Sequence, residues 1–406
     1  MHEQVRDSHP RSDGTAAPRS PSGAAKPRVV LLQTQAEAAG AQEISRILGA
    51  GLTAQGYDVH HGFFFRRTAA FDAQLNTFFC ARERPTSPLK VALMFMALVR
   101  HLKELKPDAV VCFQHYGNLI GTLAARLAGA RMVITNRNSP KSLIPRWLHA
   151  LDLTLGVAGW FQAVVVNSSS VEKEYVDYPR RYRRRVVRID HGFESKATSL
   201  DRDEARKAFG LPADVVLLGS AARFHPSKNL EAAIRLLADR NWHLALAGQG
   251  PAREQLLDAA RSLGVLDRLH LVGELPANRI GDFLGALDVF VFPSLVETFG
   301  LAVVEAAQAG IPVVANDLEV LREVLSIEGE PCALFVDVDD TQAFAEGVRR
   351  MLGDRHLRTQ LTSRATKLSS RYSLDAMVRR YAALIEAAQP QSASLAQPAL
   401  ARPHVN

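Results

Sequence analysis

Short apolar runs alternate along this chain with stretches whose apolar residues return every three or four positions. In the first half the runs are RVVLLQT (28–34), YDVHHGFFF (57–65), DAVVCFQ (108–114), RMVITN (131–136), AVVVNS (163–168) and VVRID (186–190). Helical patterns lie between them, through ISRILGAGLTAQG (44–56), KVALMFMALVRHLKEL (90–105) and LIGTLAARLAGA (119–130). Continuous short runs fit strands buried on both faces, and the longer spacing fits amphipathic helices. The rhythm predicts a parallel sheet with crossover helices.

The pattern restarts after the polar stretch ESKATSLDRDEARKAFGLPAD (194–214). Strands are expected at VVLLGSAA (215–222), HLALAG (243–248), LHLVG (269–273), DVFVFPS (288–294), IPVVAND (311–317) and ALFVDV (333–338), with helices between them. The fold class is therefore α/β, with two doubly wound, Rossmann-like domains over 28–195 and 196–372 facing across a cleft. Open α/β sheets bind ligands outside the carboxyl ends of their strands, so chemistry belongs in that cleft. A last helical pattern over 373–388 has the length to cross back onto either half. The ends, 1–27 and 389–406, are rich in Pro, Ser, Ala and Gln without period and are expected to be disordered tails.

Of the 406 residues 47% are apolar and 22% charged, which describes an ordinary globular protein with room for a sizeable core. The three cysteines, Cys80, Cys112 and Cys332, are far apart and lack ligand spacing, so neither a disulfide framework nor a zinc site is expected. No run reaches the roughly 20 apolar residues of a membrane span. The opening MHEQVRDSHPRSDG has no apolar signal region, and the reading is cytoplasmic. A net charge of +7, carried mostly by Arg, predicts anionic partners. The run Arg180, Arg181, Arg183, Arg184, Arg185 and Arg188 could meet lipid head groups or stay solvated; no nucleic-acid fold signature accompanies it, and no nucleic-acid partner is expected.

The most informative segment is FPSLVETFGLAVVEAAQAGIPVV (292–314). Glu297 stands at a strand exit, Gly300 and Leu301 open a helix, and Glu305 follows eight residues after Glu297. Eight helical residues rise about 12 Å, comparable to the reach from a sugar ring across a diphosphate to a ribose. The helix start between the two carboxylates offers free amides to an anion. In ARFHPSKNL (222–230), Arg223 and Lys228 follow a strand exit, where cations can neutralise a diphosphate. Gly248 and Gly250 form a GxG turn that permits close backbone approach, though not a dinucleotide fingerprint, since Arg253 replaces its third glycine. In LHLVGELP (269–276), backbone groups from Val272 to Leu275 could read a nucleobase edge.

In this order and spacing these motifs resemble the retaining glycosyltransferases of family 4, which have the GT-B fold. The resemblance covers roughly 28–388 and is strongest over 215–316. It implies that Arg223 and Lys228 bind the donor diphosphate, that Glu297 holds the donor sugar at the reacting face, and that Gly300 and Leu301 offer amides to phosphate beside Phe299. Glu305 would bind ribose, with Gly248, Gly250, Val272 and Leu275 completing the donor site. The implied reaction keeps the anomeric configuration and uses neither metal nor cofactor. The implied partners are a nucleotide sugar, most often a UDP-sugar, and a glycan or lipid-linked acceptor of bacterial surface or exported polysaccharide synthesis.

On the acceptor side the resemblance points to Gly40, His115, Asn136 and Arg137. Relatives carry a glycine pair where only Gly40 stands here, and a histidine where this chain has Asn136, Arg137 and Asn138. NSSS (167–170) reads as a helix cap. DVDD (337–340) imitates a metal-binding DxD pattern, yet it directly precedes an amphipathic helix and reads more simply as its cap. The helix PLKVALMFMALVRHLKELK (88–106) reads as a core helix from its Met and Phe content, while relatives that use lipid-linked sugars rest such a helix on an anionic membrane surface. Two alternatives to a transferase stay open: a catalytically silent sugar-nucleotide-binding subunit, and a nucleotide-sugar epimerase of the same fold.

Overall fold

The computed structural model describes residues 26–37, 40–69, 71–137, 141, 144–194, 196 and 198–387. Apart from Lys26 and Pro27, the two expected tails lie outside the described residues.

The first domain runs β1 (Arg28–Ala36), α1 (Gly40–Ala54), β2 (Asp58–Arg66), β3 (Thr77–Ala81), α2 (Pro88–Leu105), β4 (Ala109–Cys112) and α3 (His115–Leu127). It continues through β5 (Met132–Arg137), α4 (Arg146–Ala158), β6 (Ala163–Val166), α5 (Ser169–Lys173), α6 (Arg180–Arg183) and β7 (Val186–Arg188). Its seven strands are all parallel, in the order β3-β2-β1-β4-β5-β6-β7. β4, β5 and β6 are buried throughout, because helices cover both faces of the sheet. β3 is the strand the hydrophobic pattern misses. TFFCA is five residues long, half-buried throughout and at the sheet edge, so it shows neither a continuous run nor an alternation.

The second domain runs α7 (Arg202–Ala208), β8 (Val216–Ala221), α8 (Leu230–Arg235), β9 (Trp242–Ala247), α9 (Arg253–Ser262), β10 (Leu269–Gly273), α10 (Ile280–Gly285) and β11 (Val289–Phe292). After it come α11 (Leu301–Gln308), β12 (Val313–Asn316), α12 (Glu319–Val324), the hairpin β13 (Ser326–Ile327) and β14 (Glu330–Pro331), and β15 (Leu334–Val336). The sheet is again parallel, in the order β10-β9-β8-β11-β12-β15. Helices α13 (Thr341–Gly353), α14 (Arg355–Ala365) and α15 (Leu368–Arg371) close the domain. Strand order reverses between β1 and β4 in one sheet and between β8 and β11 in the other, and these two switch points are where a doubly wound sheet leaves a crevice.

The last helix, α16 (Leu374–Glu386), crosses back to the first domain. Met377, Val378, Tyr381, Ala382 and Ile385 form its buried stripe against Ile44, Ile47, Leu48 and Leu52 of α1. At about 1.5–3 kcal/mol for each large apolar side chain buried, that stripe holds the helix in place. The contact is close enough that a Cβ at Gly51 would lie 2.4 Å from Val378 Cγ2. The outgoing and returning connections run side by side, the Phe193 amide donating to the Tyr372 carbonyl at 3.1 Å.

Helix α2 departs from a purely core reading. Met94, Leu98 and Leu102, four residues apart, face inward, while Leu89, Val91, Leu93 and Met96 are exposed.

Candidate active site

The second domain brings the strand-exit residues together at the β8/β11 switch point. After β8 the chain makes a short turn over Pro226–Lys228, fixed by His225, whose Nδ1 accepts from the Ser227 amide. The Leu295 amide donates to the Ser227 carbonyl at 2.9 Å, which ties this turn to the loop after β11. Lys228 Nζ thereby reaches Glu297 Oε1 at 2.5 Å. Beside them α11 begins at Gly300, whose φ of 86° lies in the left-handed region and which carries no capping side chain, so no side-chain oxygen from the cap competes for the first amides.

Arg223 faces the other domain. Its Nη1 lies 4.0 Å from Oε1 of Glu37, at the carboxyl end of β1. Glu37 is almost buried and also pairs with Arg67 at 3.0 Å and accepts from Gln35 Nε2 at 2.5 Å. Gly40 opens α1 directly opposite Leu301, and a Cβ there would lie 2.7 Å from Leu301 Cδ1. The first-domain glycine thus makes room for the start of α11.

Glu305 lies one turn after Leu301, on the same face of α11. Lys196, from the connection between the domains, stands 3.7 Å from Glu305 Oε1 and 3.7 Å from Glu43 Oε1 of α1. Burial pushes the Glu305 carboxyl up to about 7; the Lys196 charge opposes that rise and Glu43 adds to it. Glu43 is held below the usual carboxylate range: burial works against this, and the Arg46 and Lys196 contacts outweigh it.

The glycine turn serves another purpose than open approach to a ligand. A Cβ at Gly248 would lie 2.0 Å from the Ala222 carbonyl oxygen, and one at Gly250 would lie 2.2 Å from that of Phe224. Both glycines let the turn close onto the β8 exit and so brace the loop that carries Arg223. Val272 and Leu275 are half-buried against the core of their own domain. The Phe299 ring is packed away from any donor, 5.0 Å from His191, 5.6 Å from Phe193 and 5.1 Å from Tyr372, which leaves only its backbone for a ligand. Its ring belongs to the seam where the chain crosses between domains.

On the acceptor side two expectations need correction. Asn136 is buried and fully occupied: its side chain donates to the Cys112 carbonyl at 3.1 Å and accepts from the Tyr381 hydroxyl. Arg137 points into the domain, donating to Asp152 at 2.6 Å and to the Tyr182 hydroxyl at 2.9 Å. Both sit on a central strand whose six residues are all buried, so neither has a face for an acceptor. Asn138 lies outside the described residues. His115 does stand at the β4 exit, half-buried, its ring 4.4 Å from Tyr116 and its Nδ1 without a partner among the described residues; burial lowers its pKa.

The serine-rich turn is more than a cap. Ser168 caps α5 by accepting from the Val171 amide, and its hydroxyl also donates to the Thr298 carbonyl at 2.9 Å in the other domain. The amides of Ser169 and Ser170 donate to Glu323 of α12 at 2.6 and 3.0 Å. In DVDD, Asp340 accepts from the Gln342 and Ala343 amides and caps α13. Sequence reasoning missed Glu37, Arg67, Lys196 and Glu323. Glu37 carried a usable signal, a carboxylate at the end of the first strand beside a switch point; Arg67 acquires meaning from its pairing with Glu37, and Lys196 and Glu323 only from the opposite domain.

Two family models match the chain: "Glycosyltransferase Family 4" over residues 39–196 and "Glycosyl transferases group 1" over 201–368. The lipopolysaccharide core biosynthesis mannosyltransferase LpsB of Rhizobium meliloti (strain 1021) is 29% identical over 235 residues, 55% of this chain and 65% of that protein. A D-inositol 3-phosphate glycosyltransferase of Geodermatophilus obscurus is 30% identical over 239 residues, 55% of this chain and 53% of that protein. The chain therefore spans between about half and two thirds of the length of these curated relatives. Among solved structures, Anabaena Alr3699/HepE in complex with UDP-glucose superposes with a TM-score of 0.77 at 18% identity, covering 89% of this chain and all of that one. WaaG, a glycosyltransferase involved in lipopolysaccharide biosynthesis, gives 0.69 at 16% identity over 88% of this chain and 99% of that one. At these identities the structural likeness speaks for the fold alone.

Proposed function

The chain belongs to glycosyltransferase family 4, with the GT-B fold, and from that premise we propose that it moves a sugar from a UDP-sugar to a hydroxyl of a glycan or lipid-linked acceptor. The observation that carries this reading is the pairing of Lys228 with Glu297 at 2.5 Å beside the uncapped start of α11, with Arg223 at the same switch point. A diphosphate there would find two cations and a helix N-terminus, which stabilise the charge that develops as the nucleotide departs. On this reading those groups do the electrostatic work without a metal. Glu297, freed from Lys228 by the phosphates, accepts hydrogen bonds from hydroxyls of the transferred sugar. The acceptor enters from the first domain, past Glu37 and His115, and the anomeric configuration is retained.

LpsB and WaaG carry names tied to lipopolysaccharide synthesis, which supports a surface or exported polysaccharide as the setting. No described helix is long and apolar enough to cross a membrane. The exposed Leu89, Leu93 and Met96 on α2, interleaved with Lys90 and Arg100, instead suit peripheral contact with an anionic inner-membrane surface. Flotation with anionic vesicles at low salt tests that contact, and absence of binding removes it.

The main test is UDP release across a panel of UDP-sugars. Transfer or hydrolysis supports the enzyme, binding without turnover indicates a silent subunit, an epimerised nucleotide sugar without UDP release indicates an epimerase, and no binding of any nucleotide sugar overturns the site.

A further inference from the structure

Lys196 is an unusual residue to find at a domain crossing. It is a nearly buried ammonium, 8% exposed, on the connecting segment, with a carboxylate from each domain at 3.7 Å: Glu43 of α1 and Glu305 of α11. The two acids are not in the same position. Glu43 already has a bidentate partner in Arg46, at 2.8 and 2.9 Å, and Arg46 also reaches Glu194 at 3.4 Å. Glu305, nearly buried and with Glu43 as a like-charged neighbour, has no other cation among the described residues. Removing its single counter-charge would leave a desolvated carboxylate that relieves itself by taking up a proton.

Protonation changes what Glu305 can do. An ionised carboxylate accepts hydrogen bonds at both oxygens, so it can take both vicinal hydroxyls of a ribose, whereas the protonated form spends one oxygen as a donor. We propose that Lys196 is a positioning residue that keeps the Glu305 carboxylate ionised and oriented across the domain seam, so that the site selects ribonucleotides over 2′-deoxyribonucleotides at neutral pH. The inference rests on the donor-site reading above and adds a residue and a specificity to it. Among the described residues the charged groups facing Glu305 are Lys196 and Glu43, and its pKa stands at about 7 with the Lys196 charge already lowering it, so loss of that charge raises it further.

The experiment titrates UDP and 2′-deoxy-UDP into the full chain at several pH values. A hydrogen bond to a charged group is worth about 1.5–3 kcal/mol, so wild type is expected to prefer UDP by about tenfold or more at pH 7.5, with the preference shrinking toward pH 6. Lys196→Gln should lose most of that preference at pH 7.5 and regain it at higher pH; Lys196→Arg should keep it. Glu305→Gln should show little preference at any pH. Melting temperatures near wild type confirm that folded proteins are being compared, and the Arg variant supplies the comparison if the Gln variant unfolds. A Lys196→Gln protein whose UDP preference has the wild-type size and pH dependence overturns the proposal, as does a Lys196→Arg protein that loses the preference. Wild type that binds neither nucleotide fails the donor-site reading itself; wild type that binds both equally fails this proposal alone.

Discussion

The two domains share an architecture but not the fate of their strand ends. In the second domain the loops after β8 and β11 are tied to each other, so that Lys228 meets Glu297, while Arg223 is turned to Glu37 of the opposite domain. In the first domain the polar residues of β5 turn inward: Asn136 stitches β4, β5 and α16, and Arg137 neutralises Asp152 beneath α4. The residues that do face the cleft from this side, Glu37 and Gly40, lie after β1 at the switch point. A polar residue at a strand end is thus a site candidate only when it lies beyond the last sheet-paired position. Arg137 is still paired, opposite Val166 of β6, whereas Arg223 and Glu297 have left the sheet.

The contrast can be broken by substitution. Glu297→Gln should produce the largest effect, a fall in turnover of about 10²–10³ with UDP affinity nearly unchanged, because the lost interaction is with the reacting sugar. A variant of normal kcat would remove Glu297 from the reacting face. Next, Arg137→Ala should cost about 3–5 kcal/mol of stability by removing the counter-charge of the half-buried Asp152, which keeps the Tyr182 hydroxyl as a hydrogen-bond donor, seen as a large drop in melting temperature. Arg223→Ala should do the opposite, weakening UDP-sugar binding by about tenfold while the melting temperature barely moves. If the Arg137 variant kept its stability and lost only acceptor affinity, the structural role assigned to it would be wrong.

A smaller effect separates the seam from both sites. His191 is buried against Phe299, and burial pushes its pKa down to about 3. Its folded pKa lies below the unfolded value of about 6.5, so the unfolded chain takes up the proton first. The stability this contributes is present above pH 6.5 and is lost as pH falls toward 3. Glu305 acts in the other direction: its raised pKa gives stability that is present below about 4.5 and lost as pH rises through 7. Urea unfolding followed against pH should show both slopes, with Glu305→Gln flattening only the neutral one.

Much of the fold was legible because it depends on short-range pattern. Buried parallel strands need unbroken apolar runs, and twelve of the thirteen strands in the two main sheets announced themselves this way; β3 did not, since a half-exposed edge strand carries no run. Asp340 could be read as a cap because capping is settled within three residues. The donor-side cluster was legible for a related reason: Arg223, Lys228 and Glu297 follow strands of one sheet, and strand order alone brings them near.

By itself, then, the amino-acid sequence determined two doubly wound halves, the strands that compose them, and a set of cations and carboxylates at the strand exits of the second. Tertiary structure alone decided that α16 joins α1, that Asn136 and Arg137 are interior, that Phe299 lines the seam, and that Lys196 and Glu323 hold residues of the opposite domain. The division has one physical cause. Periodicity and capping act between neighbours in the chain, whereas charge and burial act between whatever the fold has made neighbours in space, as with Ser169 and Glu323, 154 positions apart.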